Sequence, residues 1–217
     1  YSTKEMTDIW SDQNKYQKWL DIEIAVCEAW AHYGFVPKKS LNNIKKKANF
    51  NVKKINKIEK VVKHDVIAFT TNLAEYIGKD SRFIHLGLTS SDVLDTAFSL
   101  QIKESGNLIL NEVNEFIKIL TKLSKKYIET PVMGRSHGIH AEVTTFGLIM
   151  ANWLDEAKRA KKRLLNSIKI CSVGQFSGAV GTYSNIQPKI ELKACRLLGL
   201  KPVDISSQII NRDVYAD

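Results

Sequence analysis

Four of the chain's five histidines, His64, His85, His137 and His140, fall in short stretches beside lysine, hydroxyl and carboxylate side chains. An imidazole can give or take a proton near neutral pH, bind a metal, or hydrogen-bond an anion. In "MGRSHGIHAEVTTFG", residues 133–147, His137 and His140 stand three apart with Gly138 between them and Ser136 before them. A metal pair is the weaker reading, because Gly138 interrupts helix geometry, no cysteine is near and Glu142 alone offers a third ligand. No metal site and no cofactor is expected; a catalytic loop or a plain helix entrance remains. "KHD" at 63–65 opens a helical pattern, where free backbone N–H groups favour an anion. "HLGLTSSD" at 85–92 supplies His85, Thr89, Ser90 and Ser91, and "GQFSGAVGT" at 174–182 is rich in glycine. Each stretch also has an ordinary reading. Ser90, Ser91 or Asp92 could only cap a helix, worth about 1 kcal/mol; Asp65 could do the same, and the glycines could only permit a tight turn.

These stretches sit between segments of helical period. Ser11 caps a first helix whose apolar stripe runs Tyr16, Trp19, Leu20, Cys27, Trp30 and ends at Gly34. Shorter helices follow Pro37, start near Val52, and run from about Asp65 to Gly78, a natural C-cap. From Ser91 to about Tyr127 the period continues without proline. Gly106 is the one interior weak point, costing roughly 1 kcal/mol against alanine. A rod of that length extends about 55 Å at 1.5 Å per residue and implies an elongated bundle completed by other chains. A second long helix is expected from about Thr144 to Ile170, and a short one after Pro188. His32, near the end of the first helix, reads as a surface or cap residue. The fold class is therefore all-α, with a small helical domain over 1–90 and the first long helices of an elongated bundle over 91–217.

Composition narrows the function classes. The net charge of +9 raises a polyanionic partner. The lysines of "NNIKKKANFNVKKINKIEK", however, alternate with apolar residues at helical spacing and lack the aromatic interleaving that stacks bases. Nucleic acid is not expected. No apolar run approaches the roughly 18–20 residues that cross a bilayer, so no membrane partner is expected either. Three scattered cysteines, Cys27, Cys171 and Cys195, fit a reduced, cytoplasmic setting rather than a disulfide framework.

Taken in order, "EMTDIWSDQNKYQKWLDIEIAVCEAW", "HDVIAFT", "HLGLTSSDVLDTA", "MGRSHGIHAEVTTFG", "GQFSGAVGTYSNI" and "SSQIINRDVYAD" resemble the bacterial adenylosuccinate lyase family across essentially the whole chain. "GRSHG" and "SGAVGT" alone would indicate the wider fumarase/aspartase superfamily. The resemblance implies a carbon–nitrogen lyase of purine biosynthesis. Such an enzyme eliminates fumarate from adenylosuccinate to give AMP and from SAICAR to give AICAR. It also implies a nucleotide substrate and self-association as a homotetramer. On this resemblance His137 matches the general acid toward the leaving nitrogen. Lys63, His64 and Asp65 match a substrate-binding triplet, and Thr89 and Ser90 match donors to the succinyl carboxylates. His85 helps hold the phosphate or orient the acid. Gln208 matches a further substrate contact and Tyr1 an N-terminal nucleotide contact. Ser136 and His140 flank the acid as second-rank candidates. Alternatives are another superfamily lyase, such as argininosuccinate lyase or a cycloisomerase, or a basic helical module that binds nucleic acid or serves as a scaffold.

Two departures stand out. Gln175 occupies the position of a superfamily lysine, and Val143 that of a common proline. The family's base is a serine on a loop reading approximately "GSSAMPHKRNP", which these 217 residues do not contain. The chain is accordingly read as an N-terminal portion and expected to be inactive alone.

Overall fold

The computed structural model describes residues 1–216. The helices are Lys4–Ile9 (α1), Asp12–His32 (α2), Lys38–Lys47 (α3), Val52–Val62 (α4), Asp65–Ile77 (α5), Ser90–Lys126 (α6), Phe146–Cys171 (α7) and Pro188–Leu197 (α8). Their ends follow the expected capping chemistry. Ser11 and Asn51 accept backbone N–H groups at the starts of α2 and α4. Gly34 and Gly78, both at positive φ, lie just past α2 and α5. The 37 residues of α6 form the expected rod.

The chain is not purely helical. Pro131–Ser136 (β1) and Ile139–Thr145 (β2) pair antiparallel, with Ser136 opposite Ile139. Val173–Gly174 (β3) and Lys201–Pro202 (β4) form a minimal parallel pair. The stretch expected as a loop around His137 is thus the tip of a β-hairpin. His137 and Gly138 are its two turn residues, at φ 55° and 79°. Two consecutive positive φ values define the tight turn whose twist matches antiparallel strands. The missed signal is the β-branched run Val143–Thr145 a few residues after a residue–glycine turn. α1 was also not expected.

The described residues divide into two compact units. One comprises Tyr1–Glu104 and the stretch from Ile170 on. Its core joins Ile22 of α2, Ile44 of α3, Ile55 of α4, Phe69 and Leu73 of α5, Phe176, and Ile190 of α8. Tyr16 stacks on Phe69 and Trp19 meets the same ring edge-on.

The other unit, Ser105–Lys169, holds the remainder of α6, the hairpin and most of α7. Its core is small: Leu120, Met150 and Ala157, flanked by Ile117, Leu123, Phe146, Ile149 and Leu154. Gly106 has a packing reason here. A Cβ at that position would lie 2.5 Å from Cγ1 of Ile168, so the glycine lets α6 and α7 approach. No helix among the described residues is long and apolar enough to cross a membrane.

Candidate active site

In the first unit, α4 and α5 are joined by two residues. Lys63 ends α4 in the left-handed region at φ 57°, and His64 is the N-cap of α5. His64 Nδ1 accepts the Ile67 N–H at 3.3 Å. That nitrogen therefore carries no proton, and Nε2–H donates to Ser90 Oγ at 3.3 Å. Asp65 Oδ1 lies 3.4 Å from the same Nδ1. An ion pair there would need a proton on Nδ1 and would give up the cap. The bond to Ser90 brings together the N-termini of α5 and α6, both of which present free N–H groups and a positive dipole end. Lys63, exposed beside them, adds a full charge.

His85 stands at φ 60° on the segment between α5 and α6. One buried carboxylate holds it: Glu23 of α2, 0 % exposed. Glu23 Oε2 accepts the His85 backbone N–H and Oε1 lies on its ring Nδ1, both at 2.7 Å. Burial works against the imidazolium, but the hydrogen bond and charge of Glu23, with the charge of Asp92, outweigh it and raise the His85 pKa.

Asp92 ties the surrounding loops together. Oδ2 accepts the N–H of Thr89 at 2.9 Å and of Gly178 at 3.3 Å. Oδ1 accepts the N–H of Ser177 at 3.2 Å and Gln175 Nε2 at 3.3 Å. The Thr89 bond is half of a capping box, with the N3 carboxylate reaching back to the N-cap N–H. Burial drives the Asp92 carboxyl up to about 6, against the pull of those hydrogen bonds. Gln175 is itself fully buried and also donates to the carbonyls of Ser207 and Gln208. Three acceptors converge on its nitrogen, so the neutral amide is the shared donor that joins Asp92 to the 207–208 backbone. Its Oε1 has no hydrogen-bond partner among the described residues. Close backbone approaches complete the assembly. A Cβ on Gly87 would lie 2.5 Å from the Asn185 carbonyl, and one on Gly181 would overlap that of Ser206.

The structure therefore brings His64 and Ser90 into direct contact. Thr89 and Gln208 are joined through Asp92 and Gln175. The Gln208 side chain and Lys63 are exposed. Tyr1 is fully exposed and makes no hydrogen bond among the described residues. Ser136, His137 and His140 lie in the second unit, on the hairpin, all exposed. Their side chains make no hydrogen bond within the described residues. No group of three His, Cys, Asp or Glu among the described residues is placed to hold a metal ion.

Three organising residues were missed in the sequence: Glu23, Asp92 as more than a cap, and Gln175 as a donor. For Glu23 a signal existed. It sits seven residues after Tyr16, four after Trp19 and four before Cys27, on the apolar stripe of α2, where a charge is out of place unless paired.

The family model described as "Lyase" matches residues 1–217. The chain is 50% identical over 217 residues to adenylosuccinate lyase of Synechocystis sp. and 48% identical over 219 residues to that of Aquifex aeolicus. It is 44% identical to that of Bacillus subtilis. In each case all of this chain aligns, and it spans about half (50%) of the relative's length. Among solved structures, a fumarate lyase from Mesorhizobium sp. BNC1 matches with a TM-score of 0.92 at 26% identity. That match covers 99% of this chain and 52% of the other. The 3-carboxy-cis,cis-muconate lactonizing enzyme from Pseudomonas putida matches with a TM-score of 0.85 at 25% identity, covering 94% and 49%. The chain belongs to the lyase family, within the fumarase/aspartase superfamily.

Proposed function

We propose that this chain supplies part of the active site of an adenylosuccinate lyase. The enzyme eliminates fumarate from adenylosuccinate, giving AMP, and from SAICAR, giving AICAR. The observation that carries the reading is the junction of two helix N-termini through His64 and Ser90, with Lys63 beside it. Identities of 44–50% to adenylosuccinate lyases over the chain's length support it.

The chemistry asks for what this junction offers. A C–H bond next to a carboxylate must lose its proton, and negative charge builds on that carboxylate as the C–N bond breaks. Fumarate leaves, and the purine nitrogen takes up a proton. The α5 and α6 N-termini and the hydroxyls of Thr89 and Ser90 suit the succinyl carboxylates. Lys63, His64 and Asp65 bind substrate, and Gln208 and Tyr1 contact it. His85 holds the phosphate or orients the acid. His137, at the solvent-facing hairpin turn, is the general acid, with Ser136 and His140 as neighbours. The reading assigns the base to none of these residues.

The same reading includes a cytoplasmic enzyme, a domain division at 1–90 and 91–217, and a homotetramer. Ile109, Phe116, Ile119, Trp153 and Leu165 of the second unit are exposed apolar side chains on α6 and α7, which supports self-association.

Assaying the full-length gene product separately on adenylosuccinate and argininosuccinate, with fumarate as the readout, tests the proposal. Fumarate from the first alone is expected. Fumarate from the second alone would move the assignment to another lyase of the superfamily. Salt-sensitive binding of DNA or RNA without any fumarate would favour the non-enzyme alternative.

A further inference from the structure

Glu23 is wholly buried, and the two hydrogen bonds it accepts both come from one residue, His85. The clamp extends along the same face of α2. Four residues on, the Cys27 thiol donates to the Phe83 carbonyl at 3.0 Å. Seven residues on, Trp30 Nε1 donates to the Leu86 carbonyl at 3.0 Å. Helical spacing therefore pins residues 83–86 at three points, and His85, the middle one, is held at a positive φ that a side-chain-bearing residue adopts only under constraint.

Oε2 is engaged by a backbone N–H, and Oε1 of an ionised Glu23 accepts from a proton on Nδ1. Nε2 is left without a partner among the described residues, on a side chain 26% exposed. The charges acting on the ring are Glu23 from α2 and Asp92 from the start of α6, both carboxylates.

We propose that Glu23 is a positioning residue that holds His85 as an imidazolium, whose free Nε2–H donates to an anionic oxygen of the nucleotide substrate, its phosphate or a succinyl carboxylate. The inference rests on the lyase reading for the substrate. The bond between Glu23 and His85 stands apart from it.

Glu23→Gln tests the charge while keeping the geometry. A glutamine oxygen can still accept the His85 backbone N–H, and its amide can donate to Nδ1. In the full-length gene product labelled at histidine nitrogens, wild-type His85 should titrate above the ordinary value of about 6.5. In Glu23→Gln it should titrate at or below that value, because burial is then opposed only by the charge of Asp92. Binding of AMP or of fumarate at pH 7 should weaken about tenfold, as expected when a charge-assisted hydrogen bond becomes a neutral one. Loss confined to AMP assigns the phosphate, and loss confined to fumarate assigns the carboxylate. KM for adenylosuccinate should rise by a similar factor with kcat within about twofold, and Glu23→Asp should recover part of the affinity.

His85→Gln, neutral but still a donor, should show the same tenfold loss and covers a failure of Glu23→Gln to fold. An unmoved His85 titration, unchanged affinity for both ligands, or a fall in kcat at constant KM would overturn the proposal. If the wild type makes no fumarate, the lyase reading fails. The titration, repeated with inorganic phosphate as the probe, still decides the role of Glu23.

Discussion

His85 and His137 are both held at positive φ, 60° and 55°, yet their surroundings differ in kind. His85 sits in a lattice of buried carboxylates and backbone clamps, with Glu23 on its ring and Asp92 joining the neighbouring loops. His137 has only the geometry of a two-residue turn between β1 and β2, and its side chain is exposed without a hydrogen bond in the described residues. A group that binds a fixed anion gains from orientation set before the substrate arrives. A proton donor must lose and regain a proton each cycle, and a rigid buried partner would bias it toward one state. On the proposed lyase reading, the two regions would divide the work, one suited to hold an anion and the other to transfer a proton.

The largest effect should come from the hairpin. His137→Ala should lower kcat/KM of the full-length gene product by about 10²–10⁴-fold, the usual range for a lost general acid. Unfolding free energy should shift by less than about 0.5 kcal/mol, because the side chain removed is exposed and makes no hydrogen bond among the described residues. A comparable loss of stability in thermal melts would show that the hairpin is as tightly held as the loops around Asp92.

Asp92→Asn reverses the pattern. Four donors point at the two carboxylate oxygens, and an amide can accept from only one side. The donors left facing an NH2 group should cost about 2–4 kcal/mol, measured by denaturant unfolding. A neutral outcome would mean that the loops are held by their glycine contacts rather than by Asp92.

Glycine pairs sharpen the same contrast. Gly87 and Gly138 share φ 79°, but a Cβ at Gly87 would strike the Asn185 carbonyl, while one at Gly138 would meet nothing within 4 Å. Gly138→Ala should cost only the left-handed penalty of roughly 1–2 kcal/mol. Gly87→Ala should cost at least about 1 kcal/mol more, since backbone must also move. Equal melting shifts for the two variants would remove the distinction.

The helices were legible because their determinants are local: apolar period, Ser11 as a cap, Gly34 and Gly78 as stops. The motif residues on unit 1's loops were legible as residue types in the right order. What joins them was not, since Glu23 and His85 are 62 residues apart in sequence and Gln175 and Asp92 are 83 apart. No local pattern states which buried carboxylate will face which loop. The hairpin was missed for another reason. Residues 139–143 of β2 are exposed in succession, so that strand lacks the alternating burial that gives strands away, and β1 alternates over only four residues.

The smallest effect is on pH dependence. Asp92 is raised from 3.8 to about 6, so its contribution is fully present below about 4 and lost as pH rises through 6. His85 is raised above 6.5, so its contribution is fully present below 6.5 and lost as pH climbs through its folded value. Both slopes have one sign, and thermal midpoints should fall modestly between pH 5 and 8. Glu23→Gln should flatten the upper part of that decline. A midpoint rising over this range would contradict both assignments.

The central claim is tested most directly by following adenylosuccinate cleavage in the full-length gene product while AMP and fumarate are both quantified. The account predicts equal amounts of the two products and near-abolition of both by His137→Ala. Absence of cleavage by the wild type, or full activity in His137→Ala, would contradict it.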